Sequence, residues 1–291
     1  MITTFRLGDM VVHRLVEAVE PFLPAFEMLP DLTPKILEEN SDWLGPSDLN
    51  EEGRFLITYQ CYIVRTPHHV ILVDSCLGNH KERPRPEWHM RTDDTFLRSL
   101  GEVGLRVTDI DFVLCTHLHG DHVGWNTQLV DGRWVPVFPN ARYVFQQKEV
   151  EATAAIHADA GHQPYADSVL PIIEAGRADL VGDDFQIGDH VRLLPTPGHT
   201  AGHVAFAFGR GRDEMVMSGD LIHVTLQLRY PELSFSRDAD PVLAAKTRRT
   251  FLERYCDTDV LLCAGHFPDP SIGRIRPWGG GFRITGGPGQ L

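Results

Sequence analysis

Residues 117–122 read His-Leu-His-Gly-Asp-His, which places four potential metal ligands in six positions. Side chains alternate along an extended chain, so His117 and His119 share a direction if the backbone is extended there. Asp121 and His122 follow where the chain turns away. Neutral imidazole and carboxylate are the donors favoured by zinc and similar divalent ions. A single histidine in such a place reads as a solvated loop residue. Packing gives no reason for a cluster this dense.

The preceding run, Asp111-Phe-Val-Leu-Cys-Thr116, is short, apolar and partly β-branched, and reads as a buried strand. The cluster therefore sits at the C-terminal tip of a core strand, where open α/β architectures place their ligands. Three later segments end the same way. Val191-Arg-Leu-Leu194 runs into Pro195-Thr-Pro-Gly-His199, a sharp turn marked by Pro and Gly. Glu214-Met-Val-Met-Ser-Gly ends in Asp220, and Asp259-Val-Leu-Leu-Cys-Ala-Gly ends in His266. One such ending is noise; four, each delivering a His or Asp, predict strand ends that converge on one site.

This constellation resembles the metallo-β-lactamase superfamily. The matching residues are His117, His119, Asp121, His122, His199, Asp220 and His266, and the resemblance runs from about Phe55 to Arg276. It implies an α/β fold, an αββα sandwich of two mixed sheets flanked by helices. It implies two divalent metal ions per chain, zinc first, with manganese, iron or cobalt accepted by the same donors. The first ion would take His117, His119 and His199, the second Asp121, His122 and His266, with Asp220 bridging. Asp74 matches an acid that supports such sites without ligating the metal. A hydroxide shared by the two ions would attack the substrate, with Asp121 as ligand and proton relay.

Within the superfamily, a carboxylate at position 220 resembles the hydrolases of lactones, thioesters, phosphotriesters and phosphodiesters more than the zinc β-lactamases. The segment Gly219-Asp-Leu-Ile-His-Val-Thr-Leu-Gln227 is similar to methyl parathion hydrolase and to the N-acyl homoserine lactonases. Those lactonases carry a Tyr three residues after the bridging Asp. Here the position is His223, which keeps a hydrogen-bonding group able to donate to the oxyanion or leaving group, but departs from the lactonase pattern. No Gly-x-Ser-x-Gly nucleophile motif is present.

The formal charge of −13 opposes nucleic-acid binding. The nearest basic cluster, Lys81-Glu-Arg-Pro-Arg85, is short and interrupted. No apolar run approaches the ~20 residues of a membrane helix, and the first residues lack a signal-peptide core. Five scattered cysteines predict reduced, mostly buried thiols. The expectation is a cytoplasmic enzyme acting on a small molecule, without nucleic-acid or membrane partners, with a homodimer open.

Elsewhere, Phe5–Val16 reads as one strand, and Phe55–Arg65 with Val70–Asp74 as a hairpin around Thr66-Pro-His-His69. Thr92-Asp-Asp-Thr starts a helix with Phe96, Leu97, Leu100 and Val103 on its inner face. Further helices are expected over 147–156 and 165–175. Asp240-Pro241 caps a helix through Tyr255, with Val242, Leu243, Thr247, Phe251, Leu252 and Tyr255 inward. Residues 20–54 read as an N-terminal lid or contact segment of a single domain, 1–291. Phe22 and Phe26 in that segment are candidates for an apolar substrate wall. His80, His89, His157 and His162 read as loop residues, His203 as a partner to a ligand, and Trp278 as a loop anchor. The reading is a dinuclear hydrolase of a small ester, lactone or organophosphate triester. A metal-dependent oxygenase or other redox enzyme of the same fold is the alternative, and a metal-holding binding protein a third.

Overall fold

Short apolar runs become the strands of two sheets. In the computed structural model, which describes residues 1–287, the first sheet has seven strands. In spatial order they are Ile2–Leu7, Met10–Pro24, Arg54–Arg65, Val70–Val73, Phe112–Leu114, Arg142–Gln146 and Ala178–Val181. The last four are mutually parallel, the pairings nearer the N-terminus that have a defined register antiparallel. Val-Ile-Leu-Val and Phe-Val-Leu lack polar alternation because a central parallel strand is covered on both faces. The second sheet also has seven strands: Gln186–Ile187, Val191–Pro195, Val204–Phe208, Met215–Met217, Leu261–Cys263, Ile272–Trp278 and Gly281–Thr285. Its one parallel pair joins Met215–Met217 to Leu261–Cys263. Two mixed sheets with flanking helices are the fold class expected from the sequence.

Backbone contacts divide the chain into two compact units, residues 1–18 with 59–185 and residues 19–58 with 186–291. The final four residues of the 1–291 span lie outside the described residues.

In the first unit the helix Thr95–Glu102 lies between parallel strands in sequence and buries Phe96, Ser99 and Leu100. Phe96 stacks on Trp125 at 5.2 Å between centroids. Leu97, expected inward, is 38% exposed, because one residue turns a helix by about 100° and carries it off the stripe set by Phe96 and Leu100. The single strand expected over Phe5–Val16 is a hairpin, with Leu7 paired to Met10 across Gly8-Asp9. Gly8 has φ 57°, the left-handed conformation that a two-residue hairpin turn requires.

In the second unit Asp240 accepts the Leu243 N–H at 2.9 Å and starts the helix Pro241–Tyr255. Its buried face is Ala244, Arg248, Phe251, Leu252 and Tyr255, while Val242 and Leu243 of the first turn are exposed. Residues 20–54 hold more regular structure than their prolines suggest. The strand from Met10 continues to Pro24, and the helices Ala25–Met28 and Pro34–Glu39 follow. Trp278 ends a strand and pairs with Gly281 across a Gly279-Gly280 hairpin, so it is not in a loop. All five cysteines are free, four of them buried. No described helix is long and apolar enough to cross a membrane.

Candidate metal centre

His117 lies three residues beyond the strand Phe112–Leu114. Leu118 turns into the core, at 1% exposure, so the flanking imidazoles face the other way. His117 Nε2 and His119 Nδ1 stand 2.9 Å apart, with Thr116 Oγ1 at 3.1 Å from His117 Nδ1. A tight turn closed by His122 N–H to the His119 carbonyl, 3.0 Å, brings His122 back so that its ring lies 4.1 Å from that of His117. Asp74 fixes this loop from the neighbouring strand. Its carboxylate accepts the Thr116 N–H at 2.8 Å and faces His122 Nδ1 at 2.9 Å. His122 Nε2 is thereby left outward, 3.8 Å from Asp121.

The second unit carries the other candidates. Met217 and Cys263 are paired neighbours on parallel strands, and Asp220 and His266 each follow three residues later. The glycine before each ligand has a steric cause. A Cβ on Gly265 would stand 2.9 Å from the Gly219 carbonyl oxygen, so two backbones touch where the ligands emerge. Gly198, before His199, has φ 133°, and a Cβ there would stand 2.4 Å from the backbone of Ala244.

Three imidazoles surround the buried Asp220 carboxylate. His266 Nε2 is 2.9 Å from Oδ1; His223 Nε2 and His199 Nε2 are 3.2 and 3.4 Å from Oδ2. The far nitrogens of two of them are occupied. His266 Nδ1 donates to the Thr58 carbonyl at 3.0 Å, and His199 Nδ1 faces Asp238 at 2.9 Å. That arrangement sets the tautomer whose Nε2 lone pair is available to a cation. His203 accepts the Asp220 N–H at 3.0 Å through Nε2, with Nδ1 held by Thr196, and so orients the carboxylate's backbone. His223 differs. Neither ring nitrogen has an aligned hydrogen-bond partner among the described residues, although the side chain is 3% exposed.

The sequence could not show Asp238 and Arg248, which stand behind the ligands. Burial pushes the Asp238 carboxyl above its ordinary range, opposed by His223 and Arg248. Arg248 donates to the carbonyls of Leu221, Pro231 and Leu233 at 2.7–2.9 Å and lies 3.6 Å from Asp238. Burial lowers it to about 10, so it stays cationic at neutral pH. The only sequence signal of Arg248 is a charged residue on an otherwise apolar helix face, and Asp238 has none. Phe235 was also invisible; its ring packs 4.1 Å from His223 and stacks on His199 at 5.8 Å. Of the two phenylalanines proposed as a wall, Phe22 is buried with its ring 6.3 Å from Phe235, and Phe26 is 49% exposed. His89 Nδ1 lies within the turn at Arg83, and His157 Nδ1 contacts the His162 backbone.

By donor type, the first unit offers His117, His119, Asp121 and His122 to a cation, and the second offers His199, Asp220 and His266. The donors fit divalent metal ions: the outer nitrogens of His122, His199 and His266 are tied back, and Asp121 and Asp220 add carboxylates beside these imidazoles.

Comparisons with known proteins identify the family and the fold. The sequence pattern of the metallo-β-lactamase superfamily matches residues 57–266. A probable metallo-hydrolase of Mycobacterium tuberculosis is 26% identical over 251 residues, covering 74% of this chain and 77% of that protein. An N-acyl homoserine lactonase of Bacillus thuringiensis is 24% identical over 222 residues, covering 71% and 80%. Among solved structures, the dizinc quorum-quenching lactonase AidC superposes with a TM-score of 0.78 at 21% identity, covering 98% of this chain and 96% of that one. The hydrolase AbOPH gives 0.79 at 22%, with the same coverage. The chain belongs to the metallo-β-lactamase superfamily.

Proposed function

We propose that this protein is a dinuclear metal-dependent hydrolase of small, uncharged esters, lactones or organophosphate triesters. The observation that carries the reading is the set of imidazoles around Asp220, two of them tied back by Thr58 and Asp238. In this reading His117, His119 and His199 hold one ion, Asp121, His122 and His266 the other, and Asp220 serves both. Two such ions supply an activated water and polarise the oxygen of the bond to be cleaved.

The chain's own residues do the rest. Asp74 and Asp238 hold His122 and His199 in the ligating tautomer. Asp121 takes up the proton of the attacking water. His223 is buried without an aligned partner, so its ring can donate to the leaving oxygen without first breaking another bond. The relatives that are lactonases support the acyl class.

Elemental analysis of the purified protein, run beside hydrolysis assays on p-nitrophenyl esters, γ-lactones and phosphotriesters, decides it. Two zinc ions per chain with turnover in one of these classes supports the reading. Bound iron with oxygen consumption and no hydrolysis overturns it in favour of a redox enzyme.

A further inference from the structure

Neither ring nitrogen of His223 has an aligned hydrogen-bond partner among the described residues. The ring rests on Phe235 at 4.1 Å, and Nε2 stands 3.2 Å from Asp220 Oδ2. A side chain held in this way takes its place from its own backbone. That backbone is clasped by Gln227, whose exposure is 0%. We infer that Gln227 is a positioning residue for His223: it fixes the loop from which the imidazole reaches the leaving oxygen. The inference rests on the hydrolase reading and adds to it a residue that acts through His223.

The clasp is specific at its oxygen. Gln227 Oε1 accepts the His223 N–H at 2.8 Å and the Val224 N–H at 3.4 Å. Both donors lie ahead of the helix Leu226–Arg229, where the Gln227 N–H turns back to the Val224 carbonyl at 3.0 Å. A glutamine that reaches back to N–H groups ahead of its own helix is one half of a capping box. His223 and Val224 are buried, so these donors need a protein partner to hold this conformation.

The nitrogen end is anchored as well. Gln227 Nε2 donates to the Leu233 carbonyl at 2.9 Å, which also accepts Arg248 Nη1 at 2.9 Å. A carbonyl can only accept, so this bond turns the amide oxygen towards His223. The loop is held on either side too. Arg248 Nε donates to the Leu221 carbonyl at 2.7 Å, and the Thr225 hydroxyl donates to Asp48 at 2.7 Å. Gln227 makes the contact that falls on His223 itself.

Two roles for this glutamine differ in what its loss does. If it only filled the core, its removal would loosen the centre and slow every substrate alike. If it positions a proton donor, the loss depends on how far the leaving group needs that proton.

The test uses the zinc-loaded protein with Gln227→Met, which keeps length and removes the acceptor, and Gln227→Glu, which keeps an acceptor oxygen. His223→Ala and the double variant with Gln227→Met complete a cycle. Three readouts are taken: bound zinc, kcat for an alkyl ester or lactone against p-nitrophenyl acetate, and the His223 ring signal in proton–carbon correlation spectra. That signal is assigned by its loss in His223→Ala. Gln227→Met should keep the wild-type zinc content and displace the His223 signal. It should lower kcat about tenfold for the alkyl leaving group and less than about twofold for p-nitrophenolate. Gln227→Glu should restore both signal and kcat, and Gln227→Met should have no further effect in the His223→Ala background. An unmoved signal, an equal loss for both leaving groups, or a loss that persists without His223 overturns the inference. Should Gln227→Met fail to fold, Gln227→Asn, one methylene shorter, is read by the same outcomes. A signal that moves in Gln227→Met and returns in Gln227→Glu, in a protein that cleaves no ester, keeps Gln227 as the residue that positions His223 and sinks the hydrolase reading instead.

Discussion

Asp74 Oδ2 stands 2.9 Å from His122 Nδ1 while Oδ1 accepts the Thr116 N–H at 2.8 Å. One carboxylate thus ties the loop backbone and fixes a candidate ligand's tautomer. Asp74 has φ 57°, a conformation asparagine also tolerates, so Asp74→Asn isolates the electronic effect. With its oxygen kept on Thr116, the new amide would present N–H to His122 Nδ1. The ring proton would then move to Nε2, where the metal should bind. Metal affinity should fall about 10–100-fold with little change in melting temperature. A chelator-competition titration measures it, and unchanged affinity would remove Asp74 from the site.

Asp220→Asn tests the shared carboxylate. An amide offers one neutral acceptor in place of two anionic oxygens. At least one ion should be lost, and hydrolysis should fall by orders of magnitude, with the far-ultraviolet circular dichroism preserved. Full metal content and an unchanged kcat would defeat the bridging role.

His223→Ala should retain both ions, because the ring is assigned to the substrate. The kcat should drop about 10²-fold for alkyl leaving groups, the low end for losing a general acid. The loss should shrink for p-nitrophenolate, which leaves without a proton. Loss of metal in this variant would make His223 a ligand and reopen the role of His266.

The candidate ligands were legible because the chemistry compresses them into His-x-His-x-Asp-His and into Gly-ligand pairs after strands. The pairs have a cause visible only in three dimensions, the contact of Gly265 with the Gly219 carbonyl. Asp238 and Arg248 were not legible: nothing local marks Asp238, and a buried arginine on a helix face looks like a solvated one until its three carbonyl partners fold around it. The same helix shows the limit of periodicity. Val242 and Leu243 fit the apolar pattern but lie on a first turn that projects into solvent. In the segment 20–54, prolines such as Pro24 and Pro34 hide regular structure from the sequence, since they look like breakers, whereas Pro34 occupies the first turn of a helix, where no N–H is needed.

Glu17 allows a pH test of the fold. It is buried and accepts the Leu77 N–H at 2.8 Å and the Trp125 indole N–H at 2.6 Å, one on each oxygen. Burial raises it from 4.5 to about 7, against those two bonds. The folded state then holds the proton more tightly than the unfolded chain. Stability should fall as pH rises from 4.5 to about 7 and level off above. Glu17→Gln removes this titration while setting an amide against one N–H donor. The stability gap between wild type and variant, from urea midpoints, should therefore shift by up to about 3 kcal/mol across that window. A gap independent of pH would mean that the two donors keep Glu17 ionised throughout.

Phe22 and Phe26 were proposed together as an apolar wall, and their surroundings now separate them. Phe22 is buried against Phe235, whose ring lies 4.1 Å from His223. Phe26 sits half-exposed on the helix Ala25–Met28, whose buried residues are Ala25 and Met28. An apolar wall contributes through the area it takes from water, so its loss should weigh more on bulky substrates. Phe22→Ala frees Phe235 to shift from His223; it should raise KM for long acyl or aryl esters by about tenfold and hardly alter KM for the smallest ester turned over. Phe26→Ala should leave KM for the same long esters within about twofold, unless a second copy or a closing segment covers it. Removing Phe22 also opens a cavity costing about 3–5 kcal/mol, so Phe22→Leu is the control that keeps most of the packing. Equal KM losses across all substrates, or a lower melting temperature with no change in KM, would make Phe22 a purely structural residue.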